Sequence, residues 1–441
     1  MEKQKKNIKA NVVDFPEETT TDGIRFYGET SMDNCLAILT HYLHNKGFRD
    51  ELTREQLHDI HTLVEDWLDA KSNKDKDYCE EDIARLVADP IQGDLFNEFF
   101  DVPFPTPKNP KFTFIDLFAG IGGFRIAMQN LGGECVYSSE FDAQAQKTYL
   151  ANYGDMPFGD ITKKTTKSFI PKNFDILCAG FPCQAFSIAG RRLGFKDETR
   201  GTLFFDVEDI LRTHKPKAFF LENVKGLTNH DHGNTLRVIL EHLKDAGYDV
   251  VEPKILNAMD YGVPQHRERI YIVGFRKDLH IDVNKFEYPE PTTPGDKRPK
   301  FRDVMEDHEV SVKYYLSTQY IETLKRHKAR HAAKGHGFGY EIIDLDGVAN
   351  AIVVGGMGRE RNLIIDKRLT NFTPITHIKG VVNHEGIRRM TPREWARLQG
   401  FPDKFKIVVA DASAYKQFGN SVAVPAIQAT AEKELKMLNL I

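Results

Sequence analysis

From Lys111 onward, short apolar runs alternate with amphipathic stretches, and this alternation restricts the fold more than any other property of the chain. FTFIDLF, GECVYSSE, FDILCAGF, AFFLEN and RIYIVGF have the length and apolar content of buried strands. FRIAMQNLG, FDVEDILRTH and TLRVILEHLKDAG, lying among them, carry apolar residues at helical spacing. Strands apolar on both faces need helices on both faces, so the pattern predicts an α/β fold built on an open, doubly wound, parallel sheet. The regularity stops after Phe275, gives way to mixed Gly, Pro, His and charge, and returns at TPREWARLQGF, before a helical ending in AIQATAEKELKMLN.

Upstream of the sheet, Pro103, Pro105, Pro107 and Pro110 can continue neither a helix nor a central strand, which predicts an extended linker. Before it, MDNCLAILTHYLHNKGF, TREQLHDIHTLVEDWLDA and EEDIARLVADP predict a small helical module over 28–100. The two parts differ in charge. Residues 1–110 carry 13 basic and 23 acidic side chains, a net of −10, whereas the rest carries 47 and 41, a net of +6. A mildly basic body suits a polyanionic partner, and the acidic extension does not. The extension is therefore expected to be a semi-independent unit that braces the body or contacts another protein.

No apolar run approaches the ~18–20 residues of a membrane span, and the basic N-terminus lacks the apolar core of a secretion signal. Cys35, Cys79, Cys135, Cys178 and Cys183 are too few and scattered for a disulfide framework, so a reducing cytoplasm is the simplest setting. Nothing in their spacing suggests a metal site.

Four strand ends carry residues suited to chemistry. Asp116-Leu-Phe118-Ala-Gly120-Ile-Gly122-Gly123-Phe124 leads a strand through close-set glycines into a helix, where a ligand can approach the backbone. Such a loop also serves as a plain strand–helix connection. Glu140, at the end of the next strand, is placed to accept hydrogen bonds from ribose hydroxyls. Gly180-Phe181-Pro182-Cys183-Gln184 follows FDILCAGF, so Cys183 stands where open sheets present reacting groups. Cys178, in mid-strand among apolar neighbours, reads as core. Glu222-Asn223-Val224 ends another strand, and Gln265-His-Arg267-Glu-Arg269 enters the last with two arginines on one face.

Taken together and in this order, these blocks resemble the cytosine carbon-5 DNA methyltransferase family over about residues 112–435. The matching segments are DLFAGIGGF at 116–124, Glu140, Gly159-Asp160, GFPCQAFS at 180–187, GTLFFD at 201–206, Glu222-Asn223-Val224, QHRER at 265–269, RRMTPREWARLQGFP at 388–402 and QFGNSVAVP at 417–425. The resemblance implies a Rossmann-like sheet binding S-adenosyl-L-methionine, with Cys183 as covalent nucleophile on a cytosine flipped out of duplex DNA. It implies Glu222 as the proton-bearing partner of ring nitrogen 3, Arg269 at the base carbonyl and Arg267 supporting the loop. Cofactor contacts would come from Phe118, Gly120, Gly122, Glu140, Asp160, Pro182, Asn420 and Ser421, so the end of the chain must fold back on 116–124.

The expected organisation is an extension over 1–110, a cofactor-binding catalytic domain over 111–275, a small target-recognition domain over 276–386 and a return to the catalytic domain over 387–441. In the recognition region, GHGFGY and GGMGRER resemble loops that enter the major groove, with His336 or Phe338 filling the place of the flipped base. The basic run KRHKARH at 325–331 suits either phosphates or a solvated helix face. The setting implied is a bacterial restriction-modification system, with a monomeric methyltransferase and a restriction endonuclease sharing one DNA site. Three rivals are an RNA-methylating relative, a DNA-binding regulator with a vestigial catalytic core, and a small-molecule methyltransferase. Intact Cys183, Glu222, Arg267 and Arg269 weigh against the second, and the recognition region against the others.

Overall fold

A computed structural model describes residues 37, 38, 40, 41, 45, 102–182, 203–335, 337, 339–354, 358–375 and 380–441. Strands β1 (Phe112–Leu117), β2 (Gly133–Ser139), β3 (Ile176–Ala179) and β4 (Ala218–Val224) are joined through helices α1 (Gly123–Asn130), α2 (Ala143–Tyr153), α3 (Lys164–Lys167) and α4 (Leu203–His214). Helix α5 (Asn234–Asp245) then leads to β5 (Tyr248–Val250), β6 (Lys254–Asn257), β7 (Gln265–His266) and β8 (Glu268–Arg276). The central sheet has seven strands in the order β2-β1-β3-β4-β8-β5, with β6 also paired to β8.

Alternation along the strands separates two cores. Phe114, Cys178 and Phe220 face a cluster with α1, α2 and the C-terminal helices. Ile115, Leu117, Leu177, Phe219 and Leu221 face a cluster with α4 and α5. This is the doubly wound, Rossmann-like arrangement expected from the alternating pattern.

One expectation fails at the far side of the sheet. β1 to β4 are parallel, but RIYIVGF, within β8, runs antiparallel to β4, and β5 and β6 run antiparallel to β8. A strand buried on both faces is a continuous apolar run in either direction, so composition carries no sign of its polarity. The short strands β5 and β6 and the 3-10 turn at Ala258–Asp260 that follows them lie on the connection that reverses the chain.

Beyond β8 lie α6 (Thr318–Ala332), β9 (Ala349–Asn350), β10 (Leu363–Ile365) and β11 (Ile387–Arg389), then α7 (Pro392–Leu398), α8 (Asp411–Asn420) and α9 (Val424–Met437). Leu316, Ile321 and Leu324 around α6 share a small core with Leu363 and Ile387. β7 pairs with β9, which ties this region to the catalytic body. Buried Arg388 of β11 makes a two-pronged bond to Glu394 of α7, at 2.7 and 2.8 Å, and reaches Asp366 at 2.9 Å. Glu394 also closes a capping box with Thr391 at the start of α7, with Pro392 in the first turn.

The linker is anchored rather than free. Phe104 packs against the core, its amide donates to the Asn152 carbonyl at 3.0 Å, and Lys404 lies over its ring. Of the predicted module over 28–100, only residues 37, 38, 40, 41 and 45 are described. They are buried, and Ala37 and Ile38 join the core that α4 and α5 cover. A semi-independent unit does not describe these residues. Ala37 and Ile38 spend their apolar surface on the catalytic body. Among the described residues, no helix is long and apolar enough to cross a membrane.

Candidate active site

Of the residues singled out from the sequence, Glu140, Pro182, Glu222, Arg267 and Arg269 and the glycine loop after β1 lie at one edge of the sheet. β1, β2, β3 and β4 end there, and β8, being antiparallel, begins there. This is the edge where open α/β sheets bind ligands.

The loop after β1 takes an unusual path. Phe118 has φ 55°, a conformation bulky side chains rarely adopt, followed by Gly120 at 56° and Gly122 at 81°. The Gly120 amide donates to one Glu140 carboxylate oxygen at 2.8 Å, and the Asp142 amide donates to the other at 2.8 Å. Burial raises the Glu140 pKa, and those two amides pull it back. The two glycines have different surroundings. A side chain added at Gly120 would meet nothing nearer than the Phe118 carbonyl at 4.0 Å, which leaves room for a ligand. One added at Gly122 would strike the Tyr153 ring at 2.4 Å, so Gly122 is there for packing.

The end of the chain does fold back on this loop. A side chain at Gly123 would meet Val422 at 2.6 Å and the Ser421 hydroxyl at 2.9 Å. Gln417 accepts from Thr148 at 3.0 Å, and Lys416 pairs with Asp142 at 2.5 Å. Ser421 is half-buried and Asn420 exposed; Asp160 is half-buried and accepts twice from Thr162 through one oxygen.

Two strands away, Glu222 is buried at the end of β4 with Arg269 beside it, the Nε–Oε1 distance being 3.1 Å. Burial raises the Glu222 pKa, and Arg269 and then Arg267 oppose the rise. The carboxyl thereby holds its proton to higher pH than an exposed glutamate. Arg267 has a different task. It is buried, and its guanidinium donates to the carbonyls of Ile352 at 3.0 Å and Ser421 at 2.6 Å. Burial and the nearby Arg269 charge push its pKa down to about 9. Arg267 thus fastens the recognition region and the C-terminal block to the start of β8, while Arg269 addresses Glu222.

Cys183 lies outside the described residues, as do Gln184 through Thr202, His336 and Phe338. The strand that delivers Cys183 is described as far as exposed Pro182. A side chain at Gly180 would come within 3.7 Å of the Glu222 carboxylate. Cys178 and Cys135 are fully buried, and burial raises the first thiol well above its ordinary range and the second to about 12. Both are core residues.

Sequence reasoning places Asn223 and Gln265 inside larger blocks without a role of their own, and it does not single out Phe141. Asn223 donates to the Phe181 carbonyl at 2.9 Å and accepts from the Val224 amide at 2.8 Å, pinning the strand end two residues before Cys183. Phe141, next to Glu140, is 77% exposed, and a large ring directly after a strand-end carboxylate was the available signal. Gln265 accepts from the Ile352 amide and donates to the Leu398 carbonyl, a long-range role that no local pattern announces. Asn223→Ala is expected to lower kcat about a hundredfold, the usual cost of a small misplacement of a reacting group. Its cofactor affinity should stay within about twofold. Steady-state kinetics with cofactor titration checks this, and an unchanged kcat would remove Asn223 from the positioning of the loop.

Comparisons with known proteins identify the family. A family model described as C-5 cytosine-specific DNA methylase matches residues 112–436. The chain is 70% identical over 340 residues to the type II methyltransferase M.HpaII of Haemophilus parainfluenzae, covering 76% of this chain and 93% of that protein. It is 43% identical over 318 residues to M.HhaI of Haemophilus parahaemolyticus, covering 71% and 91%. Among solved structures, the S. pombe Dnmt2 methyltransferase matches with a TM-score of 0.54 and the Entamoeba histolytica methyltransferase EhMeth with 0.55. Each is 19% identical and covers 74% of this chain, with 99% and 98% of their own lengths matched; at that identity they support the fold. The chain belongs to the C-5 cytosine-specific DNA methylase family. It is an S-adenosylmethionine-dependent DNA (cytosine-5-)-methyltransferase of the bacterial restriction-modification type.

Proposed function

We propose that the chain methylates carbon 5 of one cytosine within a specific duplex sequence, the base being turned out of the stack into the edge that holds Glu222, Arg269 and the Pro182-Cys183 turn. The observation that carries this reading is the pairing of buried Glu222, its pKa raised by burial, with Arg269, in reach of the strand end leading to Cys183.

Carbon 5 of cytosine is a weak nucleophile because its electrons belong to an aromatic ring. The Cys183 thiolate adds to carbon 6, and the ring electrons then make carbon 5 nucleophilic. Glu222 delivers a hydrogen bond or proton to nitrogen 3, where negative charge accumulates, and Arg269 binds the carbonyl oxygen. Bound S-adenosyl-L-methionine supplies an electrophilic methyl group on a sulfonium. Once carbon 5 carries the methyl, a base such as water takes its proton, the ring double bond re-forms, and the carbon–sulfur bond to Cys183 breaks.

For the cofactor, Glu140 suits the ribose hydroxyls, Phe118 and exposed Phe141 offer aromatic surface to adenine, and Asp160 suits the adenine amine. Gly120 leaves space for the methionine part, with Pro182, Asn420 and Ser421 closing the site. Residues 276–386 choose the target, and the exposed Lys325, Arg326, Lys328 and Arg330 on α6 suit DNA phosphates. The enzyme acts as a cytoplasmic monomer, alongside a restriction endonuclease that recognises the same site. Unstacking the base costs a few kcal/mol, recovered by contacts in the pocket.

Bisulfite sequencing of DNA from cells with and without this gene tests the proposal. One short sequence should change from unprotected to fully protected at a single cytosine. Methylation of transfer RNA with none on duplex DNA would contradict it.

A further inference from the structure

The acidic extension has no part in the reaction outlined above, yet its described residues meet the sheet at one particular place. Residues 37, 38, 40 and 41 are helical and buried. The Thr40 hydroxyl accepts from the Met156 amide at 2.9 Å and donates to the Ala37 carbonyl at 3.2 Å. The His41 ring lies 4.8 Å from the Phe158 ring, and its Nδ1 is 2.8 Å from the Ala37 carbonyl, one helical turn back.

Phe158 holds an important position. Its ring is stacked on Tyr137 and on Phe169, each at 4.9 Å. Its amide donates to the Ser138 carbonyl at 2.8 Å, and its carbonyl accepts from the Glu140 amide at 2.8 Å. The segment 156–158 is thus an added edge to β2, and it carries Glu140 on one side and Asp160 two residues further on. Thr40 and His41 hold that edge from outside the catalytic domain.

We infer that Thr40 and His41 are positioning residues for the cofactor pocket, through which the extension sets the placement of Glu140 and Asp160. The inference rests on the cofactor reading given above. The mechanical link is short, with one ring contact and one backbone bond between His41 and the Glu140 amide. A valine at Thr40 keeps the shape but leaves the Met156 amide without its acceptor. An alanine at His41 leaves a gap beside Phe158, whereas a phenylalanine keeps a ring there.

The test uses the full chain and measures S-adenosylmethionine binding by calorimetry, together with kcat, KM for the cofactor and folding by circular dichroism. Thr40→Val and His41→Ala should each raise Kd and KM about three- to tenfold, as expected for one lost contact. The kcat at saturating cofactor and the methylated sequence should not change, and His41→Phe should restore most of the affinity. Glu140→Gln serves as the control for the pocket. If Glu140→Gln weakens binding but both extension variants leave Kd within twofold, the positioning role is overturned and the pocket stands. The role is also overturned if their Kd changes only in proportion to the unfolded fraction. If Glu140→Gln itself has no effect on binding, the pocket assignment fails and the inference falls with it.

Discussion

Replacing Cys183 by alanine is expected to take methyl transfer below detection, a fall of more than about a thousandfold, while S-adenosylmethionine binding stays within about twofold. The size of the effect follows from the substrate. Without a thiolate at carbon 6 there is no route by which carbon 5 gains enough electron density to accept a methyl group, so nothing in the pocket compensates. The proposed cofactor contacts are supplied by the ends of β1 and β2, by Asp160 after α2 and by the C-terminal block, apart from Pro182 just after β3. Cys178→Ala provides the contrast. That thiol is fully buried and held protonated by its surroundings, so its loss should affect packing and leave turnover largely intact. Methyl incorporation into duplex DNA, with cofactor binding measured in parallel, decides the matter. Turnover in the Cys183 variant would remove covalent catalysis from the account.

The second large effect is on stability. Arg125 of α1 is fully buried, a rare place for a charge, and it pairs there with buried Asp155. Its guanidinium lies 5.3 Å from the Tyr149 ring centre and 4.7 Å from that of Tyr153, and it donates to the Tyr149 hydroxyl and to Gln129. Burial opposes its charge, but Asp155, Tyr149 and Cys135 more than offset this and hold it protonated. Arg125→Met fills most of the space and removes the cation that faces the buried Asp155 carboxylate. The expected loss is about 3–5 kcal/mol, as for other buried pairs broken on one side. Arg125→Met with Asp155→Asn should recover part of it, since an uncharged amide is cheaper to bury. Urea unfolding of the three proteins measures both values. A loss below about 1 kcal/mol in the single variant would show that the pair is not what joins α1 to the segment after α2.

How far the residues announced this structure depended on the range of the interactions. The parallel half of the sheet, α1, α4, α5 and the final helix were legible because apolar spacing along a local segment reports directly on burial. The glycine loop, Glu140, Glu222 and the two arginines were legible because strand ends expose chemistry in sequence order. The direction of β8 was not, since a doubly buried strand has the same composition whichever way it runs. Helices α2 and α8 were missed as well. Alanine, glutamine and tyrosine in AQAQKTYLANY blur the apolar stripe, and the decisive signals are the Asp142 cap and Gly154 at φ 79°. The roles of Asn223, Gln265 and Arg267 depend on carbonyls as many as 154 residues away, at Ser421 in the case of Arg267. The contact of Thr40 and His41 with Met156 and Phe158 is of the same kind, and bulk charge, which bore only on DNA binding, gave no sign of it.

The account turns on a covalent bond between Cys183 and cytosine carbon 6, and a duplex carrying 5-fluorocytosine at the target site tests that bond directly. Fluorine cannot leave as a proton does, so after methyl transfer the ring cannot regain its double bond and release the enzyme. Mixing full-length enzyme, S-adenosylmethionine and the fluorinated duplex should give a stoichiometric adduct that survives denaturing electrophoresis. Peptide mass spectrometry should place it on Cys183. Turnover on ordinary duplex with no adduct on the fluorinated one, or an adduct on another residue, would contradict the mechanism.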